Sequence, residues 1–94
     1  MAAPANAPAG GALRVSVITP EATIYEGEAE QVVAPAYNGS LGIMRGHAPL
    51  MALLGTGTLR IDGAGTQLRY TVSGGFLQVV DNTVTVISEH ATAA

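Results

Sequence analysis

Residues Leu68–Ser88 read LRYTVSGGFLQVVDNTVTVIS. Leu68, Tyr70 and Val72 alternate with Arg69 and Thr71, the period of two that sends successive side chains to opposite faces of a strand. The run is cut by SGG at 73–75 and by DN at 81–82, residue types that supply the backbone angles tight turns require. The stretch therefore reads as three short strands joined by two turns, and it sets the rhythm for the rest of the chain.

Working outward, the same alternation recurs. Leu13, Val15 and Val17 share a face opposite Arg14 and Ser16, and Leu59 and Ile61 flank Arg60. Turn chemistry punctuates these segments at TPE (19–21), YNGS (37–40) and DGAG (62–65). The pattern predicts strands near 13–18, 22–26, 29–34, 41–43, 50–54, 58–62, 67–73, 75–80 and 83–88, the spacing of a sandwich or barrel. The inward residues are Val, Leu, Ile and Ala, so two such sheets would enclose a compact aliphatic core. The GTG and SGG glycines suit corners where the chain bends from one sheet toward the other. Residues 1–12, MAAPANAPAGGA, carry no charge and no periodic apolar face and are expected to be a flexible tail; 13–90 form the domain and 91–94 a short C-terminal tail.

Composition narrows the chemistry. Ninety-four residues suffice for one domain and one core. Cysteine is absent, which removes disulfides and thiolate metal sites. Four arginines, no lysine and seven carboxylates give a net charge of -3, and no basic patch for nucleic acid results. The longest apolar run, PLMALL, is far short of the roughly 20 residues a spanning helix needs.

No group of residues has the spacing of a reactive site. His47 and His90 lie far apart, no serine sits in a G-x-S-x-G elbow, and no phosphate-cradling G-x-x-x-x-G-K-[ST] occurs. Neither a metal nor a cofactor is expected. Two features stay open to more than one reading. Glu26, Glu28 and Glu30 at spacing two form either a solvated strand face or an acidic stripe that steers a basic partner. In GHAPL, Gly46 permits unusual backbone angles while Pro49 fixes its own and restricts Ala48, so His47 is held in a stiff frame that is either a plain turn or a docking loop.

Two longer runs, LGIMRGHAPLMALLGTGTLRI and YTVSGGFLQVVDNTVTVIS, resemble the N-terminal β-sandwich domain of the epsilon subunit of F-type ATP synthases. The preceding LRVSVITPEATIYEGEAEQVVAPAYNGSLGI resembles the opening strands of that family, and the likeness covers Leu13 to Glu89. It implies an all-β, flattened ten-stranded sandwich and a non-catalytic place in the rotor, between the gamma subunit and the membrane c-ring and beneath the alpha/beta catalytic head. By family position Thr19 and the loop Gly46, His47, Ala48, Pro49 and Leu50 would meet gamma, and Asn38, Gly39 and Ser40 would meet the c-ring. The family's C-terminal helical hairpin has no counterpart before the chain stops at SEHATAA, so a form without inhibitory helices is expected. Arg45 stands where a proline is common and Ser40 where a carboxylate is often found. The implied location is peripheral, on the cytoplasmic face of a bacterial inner membrane. A β-sandwich that binds a small ligand, or a scaffold module, is the alternative.

Because residues 1–12 offer almost no apolar area to offset backbone ordering, deleting Ala2 to Gly11 should leave the unfolding midpoint unchanged. A loss above about 1 kcal/mol in chemical denaturation would show that this segment packs on the domain.

Overall fold

A computed structural model describes residues 12–63 and 65–94. All its regular elements are strands: β1 Leu13–Ile18, β2 Thr23–Ala29, β3 Gln31–Ala36, β4 Gly39–Met44, β5 Leu50–Leu53, β6 Thr56–Gly63, β7 Thr66–Ser73, β8 Phe76–Val80, β9 Thr83–Ile87 and β10 His90–Ala93. They form two five-stranded sheets, ordered β2-β1-β9-β8-β5 and β10-β7-β6-β3-β4. Pairing is antiparallel throughout except between β1 and β9, which run parallel. The expected all-β sandwich is present. The expectation for the N-terminal tail falls on residues 1–11, outside those described; Ala12, half-buried, leads into β1.

Alternation fills the space between the sheets. Leu13, Val15 and Val17 of β1 are fully buried against Val32, Ile43, Leu59, Ile61 and Val72 of the other sheet. No aromatic residue is fully buried among the described residues; Tyr25 and Tyr70 close the rim, ring centroids 6.2 Å apart and tilted 47°. Burial raises the Tyr25 phenol above its usual range, with Tyr70 beside it adding to the shift and Arg14 opposing it.

Two turns join strands or sheets with unusual economy. Asp81 and Asn82 both have left-handed angles, φ 50° and 59°, giving the two-residue hairpin turn that matches the natural strand twist. Gly74 (φ 69°) and Gly75 (φ 96°) carry the chain from β7 in one sheet to β8 in the other. A Cβ on Gly75 would collide with the Ile87 carbonyl, so only glycine fits this crossing.

The structure corrects two expectations. Residues 91–94 are not a tail, since Ala91–Ala93 belong to β10, which pairs with β7 from His90↔Ser73 to Ala93↔Tyr70. The cause is Ser88, 1% exposed, whose hydroxyl accepts from Ser73 N at 3.2 Å and donates to His90 O at 2.7 Å, while Ala91 packs on the core. The sequence missed this strand because HATA lacks a large residue to mark its inner face. The second correction concerns β2, which runs on to Ala29, so β3 begins at Gln31 and Glu30 becomes the corner between the sheets, its N–H donating to Asp62 O at 2.7 Å.

Gly75→Ala should cost about 2–4 kcal/mol, combining left-handed strain of about 1–2 kcal/mol with the displacement of the Ile87 backbone. Gly46→Ala, where φ is +85° but nothing lies within 4 Å of the new Cβ, should cost only the first part. Equal losses for the two in urea unfolding would contradict the role given to the crossing.

Candidate functional site

The residues singled out for docking sit at the two ends of the sandwich. The turns at 30, 45–49, 65 and 81–82 cluster at one end; those at 19–22, 37–38, 54–55, 74–75 and 88–89 lie at the other, as the strand registers require. Thr19 is therefore separated from Gly46–Leu50 by the length of β1, roughly 15–20 Å at about 3.3 Å per residue, and shares its end with Asn38, Gly39 and Ser40 instead.

Loop 45–49 is built from its own backbone. His47 N–H donates to Met44 O at 3.2 Å, and Gly46 N–H donates to Asn82 Oδ1 at 2.7 Å. The Asn82 carbonyl in turn accepts from Arg14 N at 2.8 Å, so one asparagine ties together the loop, the β8–β9 hairpin and the start of β1. His47 Nδ1 lies 2.7 Å from Ala48 O; a carbonyl only accepts, so this ring nitrogen is the donor. Ala48 and Pro49 are exposed, whereas Leu50 turns inward onto the core.

At the opposite end Thr19 is 6% exposed. Its hydroxyl lies 3.2 Å from Ala22 O and 3.3 Å from Ala22 N, closing the β1–β2 turn. It shapes this end of the sandwich, and little of its own side chain is exposed there. Asn38, Gly39 and Ser40 are all exposed, and Tyr37 beside them is 80% exposed.

The sequence reading missed an apolar row that borders the end bearing Thr19 and Asn38. On the outer face of the first sheet, Ile18 pairs with Ile87, Ile87 with Phe76, and Phe76 with Leu53, an unbroken apolar row across β1, β9, β8 and β5. Leu53 is 67% exposed and Met51, in the next row, 65%. The outer face of the second sheet differs. Thr58, Thr71 and Thr92 line up across β6, β7 and β10, and Arg60 stands directly opposite Arg69. Asp62 offsets that repulsion with both carboxylate oxygens 3.1 Å from Arg60 Nε. The signal for the apolar row lay in the sequence as off-phase positions, Phe76 in FLQVV and Ile87 in VTVI, which alternation alone assigns to solvent.

The acidic stripe is partly engaged. Glu26 and Glu28 share the outer face of β2 opposite Ser16 and Arg14, and Arg14 reaches Glu26 at 3.2 Å. Glu30 is off the strand. Among the described residues no three His, Cys, Asp or Glu side chains group as a metal site would need.

Residues 12–94 match the family described as the ATP synthase delta/epsilon chain, beta-sandwich domain. The chain is 44% identical over 79 residues to the ATP synthase epsilon chain of Synechococcus sp. (strain JA-2-3B'a(2-13)), covering 84% of this chain and 58% of that protein. It is 45% identical over 78 residues to the epsilon chain of Leptospira borgpetersenii serovar Hardjo-bovis (strain JB197), covering 83% and 61%. The chain thus spans about three fifths of the length of these curated relatives. The same fold occurs in a chain of the Euglena gracilis mitochondrial ATP synthase OSCP/F1/c-ring structure, with a TM-score of 0.83 at 19% identity, over 99% of this chain and 62% of that one.

Asn82→Gly keeps the left-handed backbone and deletes only the side-chain acceptor for Gly46. Global stability should fall by about 0.5–1.5 kcal/mol, while amide exchange at Gly46 accelerates at least tenfold. Unchanged exchange at Gly46 would mean that Asn82 does not hold the loop.

Proposed function

The chain belongs to the ATP synthase delta/epsilon-chain β-sandwich family across residues 12–94, and from that premise we propose that it is a non-catalytic rotor subunit of an F-type ATP synthase, linking gamma to the c-ring. The observation that carries this reading is the apolar row Ile18, Ile87, Phe76 and Leu53 on one outer face, set against a threonine- and arginine-rich outer face on the other sheet. Gamma would cover the outer face of the first sheet, seated on the apolar row at one end and meeting Ala48 and Pro49 of the 45–49 loop at the other. Leu53, about two-thirds exposed, would gain most of the roughly 1.5–3 kcal/mol that full covering of a large apolar side chain supplies, and the half-buried Ile18, Phe76 and Ile87 less.

The end bearing Asn38, Gly39 and Ser40 would rest on the polar loops of the c-ring. Asn38, Gly39 and Ser40 would offer it neutral donors and acceptors, while Glu21 and Glu89, exposed in turns at the same end, add two carboxylates. Torque needs no reactive group. A rigid sandwich clamped on one face by gamma and at one end by the ring resists slip between them, and ATP plays no part in that. The location that follows is peripheral, at the cytoplasmic face of the bacterial inner membrane, within the complex that carries the alpha/beta head.

Added to bacterial membranes depleted of their own epsilon subunit, the chain should rebind and restore proton-driven ATP synthesis. Leu53→Arg should restore less than about a tenth of that rate, with a thermal midpoint matching the parent because Leu53 is outside the core. Titrating ATP into the isolated chain should release no binding heat. Failure of the parent chain to bind, or a clear ATP isotherm, would favour a small-ligand sandwich.

A further inference from the structure

The edge of the first sheet at β5 is unusually bare. Leu54 N–H donates to Gly75 O at 3.0 Å, and Leu53 stands opposite Phe76. In an antiparallel ladder hydrogen-bonded and non-bonded pairs alternate, so Ala52 and Leu50 bond to β8 while Met51 and Leu53 turn their backbone groups away from it. The Leu53 carbonyl obeys this parity, accepting from Tyr37 N at 2.9 Å across the corner. Met51 N–H and C=O, flanked by the Leu53 N–H and the Pro49 C=O, face the side where the sheet has no further strand. Pro49, which has no N–H, closes one end of this slot, and the Tyr37 corner closes the other.

Edge strands are ordinarily defended by charge, bulges or proline. The opposite edge of the same sheet is defended, since β2 carries Glu26 and Glu28 and breaks register against Val17 and Ile18. At β5 no lysine, arginine or carboxylate occurs between Arg45 and Arg60. The outward side chains of the slot, Met51 and Leu53, are both apolar and about two-thirds exposed. Leu53 is also the last member of the apolar row, so a partner lying on that face arrives directly at the free backbone.

We infer that the β5 edge is a strand-addition site, at which a short, extended, uncharged segment of the gamma subunit pairs with Met51 and extends the first sheet by one strand. This rests on the rotor reading above and adds the mode of attachment. Main-chain bonds give such pairings affinity and alternate side chains give them selectivity. Here Met51 and Leu53 would receive apolar side chains on the outer face, and the length between Pro49 and Tyr37 admits only a short strand. A sheet so shared couples the two subunits through backbone, which resists shear along the rotor better than side-chain packing alone.

Met51→Pro deletes the outward N–H and leaves the bonds from Leu50 and Ala52 to β8 in place, as proline at an open edge permits. Met51→Val keeps that N–H. With purified gamma from the same source, Met51→Pro should bind at least tenfold more weakly than the parent and Met51→Val within threefold, at matched thermal midpoints. Amide exchange in the parent chain gives a second readout that needs no variant to fold: gamma should slow exchange at Met51 and Leu53 at least a hundredfold. Parent-like binding by Met51→Pro, or free exchange of the Met51 amide in the gamma complex, overturns strand addition while leaving the rotor reading intact. Protection that appears with rising concentration of the chain alone assigns the edge to a second copy and overturns it equally. A parent chain that does not bind gamma at all defeats both.

Discussion

The sandwich depends on the approach of the Gly75 backbone to the Ile87 carbonyl, a contact too close for any side chain. It brings the crossing between the sheets against the end of β9, where Leu54 N–H finds the Gly75 carbonyl and the Ser88 hydroxyl finds Ser73 and His90. Those bonds start β5 and β10 in their registers. The same contact aligns Phe76 with Ile87 on one side and with Leu53 on the other, so the apolar row is a consequence of how the crossing is closed.

From that register the two outer faces come to differ by one row, for elsewhere the first sheet also presents polar residues such as Ser16, Thr85 and Gln78. One presents isoleucine, phenylalanine and leucine in a row; the other presents threonines and a pair of arginines steadied by Asp62. A small domain has little core to spare, and large apolar groups left on its surface in a contiguous line are the mark of a permanent partner. The two loop ends add polar detail: one is braced by Asn82, the other closed by Thr19 and tipped by Tyr37.

The fold was legible because the inner face is almost purely aliphatic and the turns carry glycine, asparagine and proline where the geometry demands them. Leu13, Val15, Val17, Val84 and Val86 announce their strands; β10 does not, because Ala91 is small and its place is set by a serine hydroxyl from elsewhere in the chain. The loops proposed for docking are singled out only by family likeness. That likeness placed Thr19 among presented residues, although turn closure occupies its hydroxyl. The apolar row escaped notice because its members come from four strands and become neighbours only once cross-strand register is known. No local pattern encodes that register.

In the proposed rotor, gamma covers the outer face of the first sheet and not that of the second. The chain has no cysteine, so single cysteines placed at Leu53 and at Thr58 report on the two faces without background. Thiol labelling rates in the free chain and in its complex with gamma test the claim most directly. Labelling at position 53 should slow strongly on assembly while position 58 keeps its rate. Protection at 58 with free labelling at 53 would contradict it.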